Sequence, residues 1–498
     1  MSFYDEYKPF RNYIRRFELL PSLVDVWRYS LHVMEGQPLP SDYAAGRTAF
    51  TFKSLKEDLY PWELDIVAKE LVLNAGARGD RNLKRWKDLA IAVNHMRRLD
   101  DAADAQSGGD VIFELHRIAH RQFPWQIHVG VGPVMRAFKV FGEAAVEAIV
   151  VRELGMTTRQ FLLLGAALTG HFCKQWGMST NQNYQIALGI SREASAAFFG
   201  RITCTLEHLK TEIAKRQSYD RDWPYTWNPL EATPLVSFDP AFPDRVLCPI
   251  PRYLIRRTPA GIFYDLVKSA GFDNPFGNSF QAYVGEVINA TCPQPRFAAL
   301  AEQPYYVGRQ KKHGVDWILS DSTGHLFIES KTKRLTVDAK IRSDAVALDK
   351  DLVVMATAVV QHYANIRDAL DGKTTWVLDG LPVYPLVLTL EDWFIFSPRV
   401  AEMLRKHVCV LLADAGIPNT LLEEMPYTIA SAHEFEITSQ VIAQVGIFPV
   451  MSKKTAPERW RWSLLPLAKN EFREEMRNVN WRLFADDWAR LWPDISDR

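Results

Sequence analysis

The sequence predicts an all-helical N-terminal domain followed by a domain that mixes helices with strands. Three observations carry that division. Apolar residues recur at helical spacing through residues 4–215, prolines crowd residues 217–252, and residues 314–334 alternate as a strand hairpin does. At 498 residues the chain is long enough for two or three domains, each with its own core. Its 47% hydrophobic and 24% charged content is that of an ordinary globular protein. Lys plus Arg and Asp plus Glu balance at 59 each, which excludes a global basic signal for nucleic acid and leaves only a local one.

The helical half is taken first. In RNLKRWKDLAIAVNHMRRL, residues 81–99, Leu83, Trp86, Leu89, Ala90, Val93 and Met96 form one stripe. The other face carries Arg81, Lys84, Arg85, Lys87, Arg97 and Arg98, which can meet nucleic acid or simply solvent. Residues 132–154 and 157–172 read as two apolar helices, the second opened by Thr157 and Gln160 in capping-box spacing. Ser191 is the N-cap of a helix over 191–210. Its glycine turn at Gly189 suits a helix-turn-helix, but Ala194, Ala196, Ala197 and Phe198 favour an ordinary helical hairpin. His116 and His120 lie one turn apart, as zinc ligands do, yet Arg117 stands where a zinc protease carries its glutamate and no third ligand is in view. Gly372, Lys373 and Thr374 imitate the end of a phosphate-binding loop whose opening glycine is replaced by Arg367.

Seven prolines between Pro224 and Pro251, interleaved with Trp223, Tyr225 and Trp227, predict an extended connector over 217–252 that is packed down by its aromatics. It separates a helical domain of residues 1–216 from a second domain of residues 253–450.

Within that second domain, Val315, Trp317 and Leu319 alternate with Asp316 and Ile318, residues 321–324 give a turn, and residues 325–330 rise as a second strand. Glu329 and Lys331, two apart on that strand, point the same way, and pairing brings Asp316 beside them. Two carboxylates in a half-buried site call for a cation, and hard oxygen ligands suit magnesium or manganese. A neighbouring lysine orients or deprotonates water. The implied chemistry is metal-assisted attack of water on a phosphodiester. From residue 296 to 342, nine Lys or Arg stand against five Asp or Glu, a local basic surface that suits phosphate.

An Asp on one strand followed by Glu-x-Lys on the next, here Asp316, Glu329, Ser330 and Lys331, resembles the PD-(D/E)XK nuclease superfamily. The resemblance implies a restriction-endonuclease-like α/β domain, a mixed central sheet flanked by helices. Asp316 and Glu329 would then bind Mg2+ or Mn2+ together with the Ser330 carbonyl, and Lys331 would activate water. The family places an acidic helix before the hairpin, and GNSFQAYVGEVINA, residues 277–290, reads as that helix with Glu286 as its acid. Many relatives carry the acid directly after the helix's Phe, where this chain has Gln281, so either residue is a candidate for the site and only Glu286 supplies charge. A covering helix over 341–370 and a strand over 381–390 follow. On that helix Gln361 and Tyr363 are similar to a glutamine and a tyrosine near the metal in some branches, or pack in the core. The resemblance implies an endonuclease on DNA rather than RNA, in bacterial defence against phage or foreign DNA, and a homodimer. An RNA-cleaving relative, or a binding protein that keeps the fold without turnover, is the alternative.

Beyond the catalytic domain, a helix is expected over 399–413, a short strand over 427–430 and a helix over 438–445. The tail from residue 451 carries Trp460, Trp462, Trp481, Trp488 and Trp492, and its last stretch, 470–492, reads as one amphipathic helix packed on the N-terminal domain or a second subunit. Scattered cysteines without Cys-x-x-Cys pairs, a charged opening and no long apolar run predict a cytoplasmic protein that does not enter a membrane.

Overall fold

The computed structural model describes residues 2–44, 58–106, 111–126 and 130–491. Helices follow one another from Phe3–Ile14 to Thr158–Phe172. Their ends obey local chemistry. The Thr157 hydroxyl accepts from the Gln160 amide at 3.1 Å while the Gln160 side chain accepts from the Thr157 amide at 3.0 Å, the reciprocal cap expected from the spacing. Ser191 likewise caps Arg192–Ile202 through the Ala194 amide. The stripe predicted over 81–99 is buried at Leu83, Leu89, Val93 and Met96, whereas Arg81, Lys84, Arg85 and Arg97 of its basic face each pair with an acid of this chain.

Two features depart from an all-helical N-terminal domain with a separate connector. Short strands at Gly177–Ser179 and Thr203–Thr205 join Leu235–Ser237 and Arg245–Leu247, from the proline-rich stretch, in one four-stranded sheet. Trp223, in the same stretch, is fully buried against Phe3, Tyr7 and Phe10. The hydrophobic cores therefore do not divide at residue 216. Residues 3–125 share one core with residues 204–253, and residues 137–202 share another with the central sheet. Prolines had marked the stretch as non-helical; its aromatic side chains make it a wall of the core.

The central sheet has five strands: β1 Ala298–Ala301, β2 Trp317–Asp321, β3 Gly324–Lys331, β4 Val383–Thr389 and β5 Thr428–Ser431. Their spatial order is β5-β4-β3-β2-β1. The β1, β2 and β3 strands pair antiparallel, and β3, β4 and β5 pair parallel, so the sheet is mixed and flanked by helices. Asp321 makes the tight turn between β2 and β3 by accepting from the amides of Thr323 and Gly324. The Asp273–Thr291 helix packs with the face of Leu319, Leu326 and Ile328. Val346–Leu370 covers the opposite face, with Ile318, Phe327 and Val387. Despite Pro385, β4 is central, paired on both sides and buried throughout.

Gly285 is where the first of those helices meets the sheet, and a Cβ there would lie 2.1 Å from the Trp317 ring. That ring is held by its own hydrogen bond to the Gln281 carbonyl at 2.9 Å, so it has little room to yield. Gly285→Ala is expected to lower stability by about 1–3 kcal/mol in denaturant titration, although alanine is the better helix former.

Two tail elements differ from expectation. The helix expected over 438–445 begins at Ala432, because Ser431 and Glu434 form a capping box. Within the described part of the stretch, residues 470–491, there is no single helix: Leu464–Glu471 ends there, and Arg473–Arg477 and Ala485–Leu491 follow. Gln440 clasps the Asn480 backbone from both sides, at 2.8 and 3.1 Å, and Phe484 takes a φ of 65°, which ends helical continuity. The tail does pack on N-terminal helices, with the Leu491 carbonyl accepting from Arg159. Trp492 lies outside the described residues. Among the described residues, no helix is long and apolar enough to cross a membrane.

Candidate functional site

The pairing of β2 with β3 matches Trp317 to Ile328, and one step further sets Asp316 opposite Glu329. Pairing of β1 with β2 matches Ala301 to Trp317, and the Glu302 amide donates to the Asp316 carbonyl at 2.8 Å, continuing the ladder. Glu302, Asp316 and Glu329 thus stand in one cross-strand row, with Lys331 two residues along β3 on the same face.

Within the row, Asp316 Oδ2 accepts from the Ser330 amide at 2.6 Å. Glu329 is buried, its Oε1 accepting from Lys331 Nζ at 2.7 Å. Lys331 Nζ also lies 3.4 Å from Gln361 Oε1. The structure thereby brings together Asp316, Glu329, Ser330, Lys331 and Gln361. It does not bring Glu286, which is half exposed and paired with Lys139 at 2.7 Å. Gln281 is the helix residue turned toward the row, its Nε2 donating to Glu302 Oε2 at 3.1 Å. Glu286→Ala should therefore leave any activity of the site within about twofold of wild type in a rate assay, as an exposed charge pair contributes little. Tyr363 turns elsewhere, its hydroxyl donating to the Met425 carbonyl.

Sequence reasoning missed two participants. Glu302 reaches the row through β1, and its carboxylate is steadied by Gln281 and by His313 at 2.7 Å. His362 is fully buried behind Glu329. Its Nε2 lies 3.0 Å from the Phe327 carbonyl, an atom that only accepts, so Nε2 carries the proton and Nδ1 presents a lone pair. That lone pair faces Glu329 Oε2 at 3.8 Å, and both atoms are buried without a hydrogen-bond partner. Two acceptors aimed into one space are satisfied by a proton or a cation between them. Burial keeps His362 neutral, its pKa lowered to about 3.

Burial also raises the pKa values of Asp316 and Glu329 above the ordinary carboxylate range. The charge of Asp316 adds to the shift at Glu329, Lys331 opposes it at both, and Glu302 adds a smaller repulsion to each. A raised folded-state pKa means that the folded protein holds a proton that the unfolded chain has lost. That contribution is complete below the ordinary carboxylate range and disappears as pH rises toward and through neutrality. In metal-free buffer, Glu329→Gln should flatten the fall in unfolding free energy over that window. Equal slopes for variant and wild type would count against the raised pKa.

Among the described residues, no group of three or more His, Cys, Asp or Glu side chains is arranged to hold a metal ion. The donor set nonetheless fits a hard cation that keeps part of its water, as magnesium does with one or two carboxylates. Asp316 and the orphaned Glu329 Oε2 are such carboxylates. His116 and His120 do not form a zinc site. Their rings lie 4.6 Å apart, His116 buried against the Ala339 carbonyl and the partly buried His120 against Phe394.

The nine basic residues around the hairpin are mostly committed. Lys312, Lys333, Arg334, Lys340 and Arg342 all pair with acids of the chain. Exposed ones remain on a two-stranded ribbon, Tyr305–Val307 with Gln310–Lys312, which follows Glu302 directly and presents Tyr306, Arg309 and Lys311 to solvent. Comparison with protein-family models, curated proteins and solved structures found no match. What the fold and the site define is a helical region joined to a mixed sheet flanked by helices, with an acid row and a lysine at one end of that sheet.

Proposed function

We propose that the protein is a metal-dependent endonuclease that hydrolyses phosphodiester bonds of DNA. The observation that carries this reading is the buried, partnerless Glu329 Oε2 in one row with Asp316 and beside Lys331. In this reading Asp316 and Glu329, with the Ser330 carbonyl, would hold Mg2+ or Mn2+. The cation would supply charge to offset that developing on the phosphate oxygens. Lys331, steadied between Glu329 and Gln361, orients the attacking water and holds a proton at Nζ. Glu302 keeps the row electronegative, and the ribbon carrying Arg309 and Lys311 receives the phosphate backbone. A part in bacterial defence against phage or foreign DNA, and action as a homodimer, follow from the family resemblance alone.

The test is incubation of purified protein with plasmid, linear duplex, single-stranded DNA and RNA, each with Mg2+, Mn2+ or chelator. Metal-dependent cutting of DNA supports the reading. Cutting of RNA alone moves the substrate class while leaving the chemistry. If nothing is cut with any metal, the hydrolytic reading fails and a non-catalytic binding protein takes its place.

A further inference from the structure

A cavity of about 880 Å³ opens at the ends of β4 and β5, between the Pro398–Asp414 and Ala432–Val445 helices. Register places it on the same edge of the sheet as the acid row, since Lys331 pairs with Thr389, Thr389 with Ser431, and both Thr389 and Ser431 line the cavity. Its lining changes character from floor to mouth.

At the floor are two carboxylates, Asp392 just beyond β4 and Glu434 in the first turn after β5. Glu434 is fixed, both oxygens accepting backbone amides, from Ser431 at 3.2 Å and Leu465 at 3.0 Å. The Ser431 hydroxyl accepts from the Glu434 amide at 3.3 Å, closing that turn. Burial raises the pKa of both acids, and at Glu434 the charge of Asp392 adds to it. Glu434 is thus satisfied by its two amides, with the buried Lys454 ammonium on the same lining, whereas Asp392 is partly exposed to the cavity and, among the described residues, no ion pair to it is seen, so it is the acceptor open to N–H donors from a ligand.

Aromatic faces make the middle. Phe394 holds a φ of 48°, a conformation bulky residues seldom take, and its ring is wedged 4.9 Å from that of His120 and 5.3 Å from that of Phe123. Tyr427 and Trp460 line the same space, and Trp462 and Trp481, 41% and 48% exposed, stand at the mouth. The rim is cationic. Arg461 and Lys469 are exposed, with Lys469 Nζ 5.4 Å over the Trp481 ring.

The Asp392 carboxylate, flat aromatic faces and a basic rim match a nucleobase with donors on its inner edge and phosphate on its outer end. Guanine places N1–H and N2–H side by side, two donors for the two oxygens of one carboxylate. On the other bases a carbonyl or ring nitrogen acceptor adjoins the donor and would face the carboxylate's own lone pairs. We propose that this cavity binds a guanine nucleotide, base inward on Asp392 and phosphate outward at Arg461 and Lys469. The nucleotide is either free in solution or one residue of a nucleic-acid strand. The proposal does not depend on hydrolysis at the acid row.

The experiment is calorimetric titration of the intact protein with GMP, AMP, CMP, UMP and XMP, and with short single-stranded oligonucleotides containing or lacking one guanine. GMP is expected to bind at least tenfold more tightly than AMP, CMP or UMP. In Asp392→Asn that preference disappears and XMP gains, because an amide offers a donor where xanthine has a carbonyl. Lys469→Ala, at the exposed rim, should weaken GMP several-fold while leaving guanosine unchanged, and circular dichroism checks that both variants are folded. Binding of GMP itself identifies a free nucleotide, whereas binding only of guanine-containing oligonucleotides identifies a strand base. The proposal is overturned if no ligand binds with a guanine preference, or if a folded Asp392→Asn keeps that preference. Should Asp392→Asn not fold, equal binding of GMP by Lys469→Ala and wild type overturns it.

Discussion

Replacing Lys331 by alanine is expected to reduce metal-dependent cleavage by about 10²- to 10⁴-fold, the range usual for loss of a positioned proton-transfer group. Nothing else in the row can substitute. Lys331 is the cation bonded to Glu329 Oε1, and Gln361, its other neighbour, bears no charge. Asp316→Ala should fall at least as far, since it removes one of two carboxylates that would hold the cation. Binding of a DNA duplex in calcium, without turnover, separates the two variants from a general loss of structure. The hydrolytic reading requires that both bind within a few-fold of wild type while cutting fails. Cleavage that survives in Lys331→Ala would remove the lysine from the chemistry.

The second large effect is on stability. Glu436 is buried and accepts from Arg136 Nε at 2.6 Å, from Arg136 Nη2 at 2.9 Å and from the Tyr283 hydroxyl at 2.6 Å. Burial alone would raise its pKa, yet the charge of Arg136, with hydrogen bonding from His433, Arg136 and Tyr283, lowers it to about 2. The cluster joins the Val131–Phe141, Asp273–Thr291 and Ala432–Val445 helices. Glu436→Ala leaves a guanidinium and a phenol without their acceptor in the interior, at an expected cost of about 3–5 kcal/mol in denaturant titration. Glu436→Leu combined with Arg136→Met should recover most of it, because no unpaired charge then remains. A loss below about 1 kcal/mol in the single variant would mean that water reaches the pair.

How much of this was legible follows from how each residue reaches its place. Asp316, Glu329 and Lys331 could be read because a hairpin is local: period-2 alternation and the turn at Asp321 and Gly324 set the register almost unaided. Glu302 could not. It joins the row through β1, an Ala-Ala-Leu-Ala strand without β-branched residues, and a ribbon separates it from β2. His362 was silent beside Gln361, since only the packed orientation of a long helix decides which of two neighbours looks inward. Glu286 carries the charge but not the helical phase, and it pairs with Lys139 away from the row. Gln281, uncharged, lies on the side that reaches the sheet end. The proline-rich stretch was recognised as a break, but the depth at which Trp223 is buried depends on helices more than 200 residues earlier in the chain.

The way the two cores share the chain has an evolutionary consequence. Residues 204–253 complete a core begun by residues 3–125, while residues 137–202 are enclosed with strands from beyond residue 316. A recombination event near residue 216 would leave each product with half of two interiors. The helical region is therefore not a cassette that can be exchanged against another at that point, and any lineage carrying this sheet must inherit both parts as one unit.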